Sequence, residues 1–247
     1  MQISDDLFLG PAVGPNPLFG SDGNPAPMSQ GVGPMGRVFI WDVVPLTLQA
    51  AGLASSQNPA SGGSFTLTAG TGVTRVTLPS GALGYVLDVP RCVTITAAGA
   101  NTATYQVQGY DLYGQPMTQN LAAPSTSTVA TTKAFKIVTA IVNLNTTAGL
   151  NNLTAGFNDK LGLPVRVTDV CYVVSIKWAT TLADAAGTFV VADVTSPATV
   201  STTDVRGCYT PASSADGTRR LIACIAIPAI GSGPQATRIG AYGVTQV

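Results

Sequence analysis

Chemistry in this chain has to rest on cysteine, aspartate, lysine, tyrosine or serine, because its 247 residues contain no histidine and no glutamate. Ser-His-Asp and Cys-His catalysis and histidine metal sites are therefore excluded. A two-carboxylate hydrolase needs only paired acids. The acids Asp42, Asp88, Asp111, Asp159, Asp169 and Asp193 are instead scattered singly, mostly at strand ends or turns, where aspartate bonds local backbone. Cys92, Cys171, Cys208 and Cys224 include no C-x-x-C pair. A zinc site would need all of them together, and two disulfides would leave three connectivities open. The reading we favour is four small apolar residues buried in strands, since each lies in an alternating apolar run. Gly31-Val32-Gly33-Pro34-Met35-Gly36 matches G-x-G-x-x-G, but its glycines precede a strand and open no helix, so it is no dinucleotide site. A D-x-D-x-D-G calcium loop is absent. The expectation is no enzyme, no catalytic residue, no cofactor and no metal.

Charged residues make up only 10% of the chain, against a usual ~25%, and twelve basic side chains balance twelve acids. Such a chain carries no field that would draw it to nucleic acid or an anionic membrane. So low a charge density suits a surface covered by neighbours. Met1–Gly10 carries acids where a secretion signal would carry basic residues, and the most apolar run, Leu221–Ile230, is about half a membrane span and holds Pro228. Neither secretion nor membrane insertion is expected.

These residues must be positioned by strands. All acids are aspartate, a poor helix former, and threonine and valine are abundant. Residues 1–37 stand apart as an extended arm rich in glycine and proline, which neither helices nor sheets accommodate along their length. Leu7, Phe8, Leu9, Leu18, Phe19 and Met28 give the arm apolar anchors and make it the expected partner-binding segment. Residues 38–247 read as a β-rich body, with a sub-boundary near 145–152 kept open. Strands are expected over Arg37–Val44 and onward through Pro45–Gln49, at Leu83–Val89 and Arg91–Ala97 either side of Pro90, and at Val165–Ala179. Gly52–Gly63 reads as a small-residue loop, with Leu46–Ser55 and Thr180–Ala186 the only places for a helical turn. Ala98–Asn101 reads as a hairpin loop, and Asp216-Gly217 between Val205–Tyr209 and Arg219–Ile227 is the strongest turn signal. Strands of this number and spacing predict an all-β sandwich or jelly-roll-like body.

Four blocks in fixed order carry a resemblance: V-P-R-x-V-T-I-T at Val89–Thr96, G-Y-D-x-Y-G-x-P-M at Gly109–Met117, T-K-A-F-K-x-V at Thr132–Val138 and D-K-L-G-L-P at Asp159–Pro164. The chain resembles virion structural proteins of tailed bacteriophages, including capsid decoration or cement proteins and other head or tail accessory proteins. The resemblance implies a non-enzymatic virion component; with the arm and the low charge, the expectation is a capsid decoration or cement protein made in the host cytoplasm and placed on the capsid surface. Its partner would be the major capsid protein, and it would assemble as a homo-oligomer, a trimer by preference. A receptor- or glycan-binding fibre domain and a tail or connector component are the alternatives. The blocks themselves read as scaffold; the arm and exposed loops are expected to make the functional contacts.

Overall fold

The computed structural model describes residues 37–146, 151–179, 181–182, 187–193, 204–227 and 246–247. The arm residues 1–36, with Leu7, Phe8, Leu9, Leu18, Phe19 and Met28, lie outside the described residues. The body is all-β. Its strands are β1 (Arg37–Val43), β2 (Gln49–Gln57), β3 (Val73–Thr77), β4 (Leu83–Thr96), β5 (Tyr105–Tyr110), β6 (Pro116–Leu121), β7 (Thr128–Asn143), β8 (Leu153–Gly162), β9 (Val173–Trp178), β10 (Thr181–Leu182), β11 (Thr188–Val190), β12 (Cys208–Thr210) and β13 (Leu221–Ile227). Strand propensity is expressed as alternation: β5 buries Tyr105, Val107 and Gly109 and half-exposes the residues between them.

Two antiparallel sheets result. One holds four strands in the order β1-β13-β9-β10; the other holds nine, along the path β11-β12-β8-β4-β7-β5-β6, with β2 on β8 and β3 on β4. The strands on either side of residues 145–152, β7 and β8, both pair with β4 in the larger sheet. Val38 opposes Ala226 and Trp41 opposes Ala223, so the first strand described pairs with one near the far end of the chain.

Several local expectations are corrected. Ala98–Asn101 does not close a hairpin: the sixteen-residue β7 lies between β4 and β5 and pairs with both. A turn signal states where a chain bends, whereas a strand long enough to serve two neighbours decides who pairs. Asp216-Gly217 does form a turn, but β12 and β13 belong to different sheets. Pro90 ends nothing. β4 runs through it as one strand, and the register shifts between Val86 and Arg91, where the ladder lacks a proline N–H. There β4 exchanges its neighbour on one side, β3 along Leu83–Leu87 for β8 along Arg91–Thr96. Gln49–Gln57 is a strand, not a loop or helical turn; its small residues lie close against β8, and Leu53 and Ala54 are fully buried. Val165–Ala179 contains a 3-10 turn at Val170–Tyr172 before β9, although Val167, Val173, Ile176 and Trp178 do join the core as the alternation implies.

The interior falls into two large apolar clusters and a small one. The larger lies within the curled nine-stranded sheet, around Leu53, Leu87, Ile95, Tyr105, Phe135, Ile141 and Phe157. The second joins the sheets, packing Phe39, Trp41, Trp178 and Leu221 against Val89, Leu161 and Tyr209. Close backbone approach needs glycine at Gly109, where a Cβ would stand 2.0 Å from the Ile137 carbonyl oxygen, at the register shift between β5 and β7. The cysteines divide. Cys92 and Cys208 are buried together with Ala134, while Cys224 is half-buried and Cys171 is exposed on the 3-10 turn. Contact with Cys92 and burial hold the Cys208 thiol well above its ordinary pKa, and the Asp169 carboxylate raises that of Cys171. Because exposure outweighs that shift, alkylation of the native protein followed by mass spectrometry should modify Cys171 first and Cys224 more slowly. Cys92 and Cys208 should react only as fast as the protein unfolds; early labelling of either contradicts this packing.

Candidate interaction surface

The acids that could have formed a catalytic pair are committed elsewhere. Asp42 pairs with Arg220 beside the β1–β13 ladder, Asp169 caps the 3-10 turn, and Asp193 is buried within the field of the Lys133 ammonium. Asp111 pairs with Arg206 at 2.7 Å. Of these six, Asp88 and Asp159 share one partner, whose guanidinium occupies the space between them.

That guanidinium belongs to Arg91, whose side chain is wholly buried. Its Nε and Nη2 donate to Asp88 at 2.8 and 2.7 Å, and its Nη1 to Asp159 at 3.2 Å. The carbonyls of Asn158 and Leu46 accept at 3.1 and 2.5 Å, and the Phe157 ring lies under the guanidinium, 5.1 Å from centroid to Cζ. Asp159 also accepts the Ala215 N–H at 3.3 Å, which ties the network to the second apolar cluster. Lys136 of β7 donates to the carbonyls of Leu87 and Asp88, and the Tyr113 hydroxyl donates to the Pro164 carbonyl at 2.6 Å. Arg91 and Tyr113 thereby tie the segment Asp159–Pro164 to β4 and to the turn after β5, and Lys136 ties β7 to β4 just before Val89.

The network also holds a surface. Asp88 accepts the Leu46 N–H at 2.7 Å while Arg91 takes its carbonyl, so residues 44–48 are pinned at their centre by buried charge. Pro45 is buried, but the alternate side chains are exposed: Val44 is 45%, Leu46 37% and Leu48 40% exposed. A second brace comes from the Asp216-Gly217 turn. Gly217, with φ at +79°, donates its N–H to the Pro45 carbonyl at 3.1 Å. Asp216 accepts from the N–H groups of Thr218 and Arg219 and from the Thr218 hydroxyl, at 2.8–2.9 Å. The result is an apolar ridge on a fixed backbone. Sequence reading missed it by taking Val44–Leu48 as a continuing strand; Pro45 was the available signal. A separate shallow cleft of about 440 Å³ is lined by Leu78, Pro79, Ser80, Tyr110, Gly114 and Ile137. Among the described residues no group of three or more acids and cysteines is placed to hold a metal. No helix among them is long and apolar enough to cross a membrane.

No protein-family model, curated protein or solved structure matches the chain.

Removing one partner of a buried ion pair strands the others without solvent, at a cost of about 3–5 kcal/mol. Arg91→Ala should lower unfolding stability by that amount in urea titration, and a loss below about 1 kcal/mol would show the network to be incidental. The backbone donors around Asp216 hold its carboxyl at a pKa of about 2, below the ordinary 3.8. A depressed carboxylate contributes its full stabilisation above 3.8 and loses it as pH falls through about 2. NMR titration of the Asp216 carboxyl should find its midpoint there.

Proposed function

We propose that this protein is a non-enzymatic structural component of a tailed-bacteriophage virion, which binds the assembled capsid shell and bridges its capsomers. The observation that carries the reading is the ordered set of blocks at Val89–Thr96, Gly109–Met117, Thr132–Val138 and Asp159–Pro164, which resembles a pattern in phage virion structural proteins. Two physical features support it. The chain has few charges, and several of them are paired inside, leaving a surface suited to close neighbours. The ridge at Val44, Leu46 and Leu48 offers apolar contact without a folding-on-binding cost, because its backbone is already held.

On this reading the partner is the major capsid protein, and the protein acts as a homo-oligomer, a trimer by preference, on the capsid surface. A protein that binds the assembled shell and not its dissociated parts stabilises the shell by mass action. Contacts repeated over the lattice add through multivalency, so each can be weak. The arm's Leu7, Phe8, Leu9, Leu18, Phe19 and Met28 would extend that reach.

Co-sedimentation tests the proposal directly. The purified protein should pellet with shells that lack it, and should raise the temperature at which they come apart. Replacing Val44, Leu46 and Leu48 together by serine should weaken pelleting at least tenfold. It should shift the protein's own melting temperature by only a few degrees, since exposed substitutions usually stay within about 0.5 kcal/mol each. Pelleting with tails and never with heads would sink the shell assignment; undiminished binding by the triple variant would remove the ridge from it.

A further inference from the structure

β6 forms one end of the nine-stranded sheet, and a residue from far along the chain closes its free edge. Gln246 bridges Met117 in the only parallel pairing among the described residues. Its carbonyl accepts the Thr118 N–H at 2.9 Å and the Lys133 ammonium at 2.7 Å; the same ammonium donates to the Thr118 carbonyl at 3.1 Å. Its side-chain amide donates to Asp111 at 3.0 Å, and Asp111 also takes Arg206 at 2.7 Å. Arg206 in turn lies over the Tyr113 ring, 4.8 Å from its centroid.

Gln246, Asp111, Lys133 and Arg206 are each buried, whereas the next residue, Val247, is 64% exposed. This is a built recess for one residue of an extended chain. β6 and Lys133 read its backbone, and Asp111 reads its side chain. Glutamate in the same place would set a carboxylate against Asp111, so the recess selects an amide. It also holds its occupant imperfectly: the Gln246 side-chain oxygen is buried with no hydrogen-bond partner, and an unpaired buried acceptor weakens the hold. Pro116, which has no N–H, opens β6 and limits how far pairing along this edge can spread.

We propose that the β6 edge with its Lys133–Asp111–Arg206 recess is a segment-binding site whose occupant is exchangeable, so that Gln246 of a second copy can fill it. Strand addition to an open edge is a general recognition mode, and exchange of an identical element joins copies without needing a new interface. The length of chain permits it. Residues 228–245 separate Ile227 from Gln246, a contour of roughly 60 Å at full extension. The inference is independent of the shell-binding reading.

The test uses the unmodified full chain and a fluorescein-labelled, C-terminally amidated peptide of residues 241–247. Anisotropy should rise slowly and saturably as the peptide displaces the resident segment. The unlabelled peptide should compete, and one with alanine in place of glutamine should compete at least tenfold more weakly. Absent binding, or equal competition by both peptides, overturns the site. Sedimentation of the full chain refolded at high concentration should reveal a dimer that Gln246→Ala abolishes. A chain that stays monomeric up to millimolar concentration, or a dimer indifferent to that substitution, overturns exchange between copies.

Discussion

A guanidinium held wholly out of water is the constraint on which the body depends. Leaving such an ion unpaired would cost several kcal/mol, so Arg91 requires Asp88, Asp159, two carbonyls and the Phe157 face all at once. Those partners come from β4, from β8 and from the segment after β1. Satisfying one side chain therefore fixes how three stretches of chain lie against each other. An apolar core of the same volume would tolerate sliding; a forked donor with directional bonds does not. The register shift beside Pro90 belongs to the same arrangement, since it delivers Arg91 inward at the point where β4 changes neighbours.

The strand at Arg219–Ile227 was legible because β13 buries every second residue from Leu221 to Ala226, and alternation is a local property. Pairing was not. Asp159 is 68 residues from Arg91, and nothing between them marks the partnership. The hairpin expected at Ala98–Asn101 failed for the same reason: β7, which separates β4 from β5, follows both in the chain. β2 was illegible because small residues that look like a loop are also what a tightly packed strand requires, as the buried Leu53 and Ala54 attest. The ridge at 44–48 was hidden by its own apolarity, which mimics a strand until Pro45 is given weight. That the charged residues Arg91, Asp111 and Lys133 act as fasteners between strands could not be read in advance.

Those fasteners also alter what the surface presents. Arg91, Arg206 and Lys133 are cations by composition, yet all three are turned inward toward carboxylates or carbonyls. The outside is consequently more neutral than the sequence count suggests. Attraction between copies, or to another protein, must then come chiefly from shape and apolar contact, which salt screens little. The ridge, with three aliphatic side chains on a backbone that does not need ordering, is the clearest such feature among the described residues.

The pairing of β1 with β13 sets an order of events during synthesis. Phe39 and Trp41 leave the ribosome before any other described strand is made, yet the strand that shelters them, with Ala223 and Ile225, is the last of the described strands. At ordinary translation rates the delay is roughly 10–40 s. For that time two large aromatic side chains have no partner of their own, while β4, β7 and β5 are free to assemble the larger sheet. The β1–β13 ladder thus cannot close until β2 to β8 have been made, and a chain interrupted before Leu221 would carry an unguarded aromatic strand.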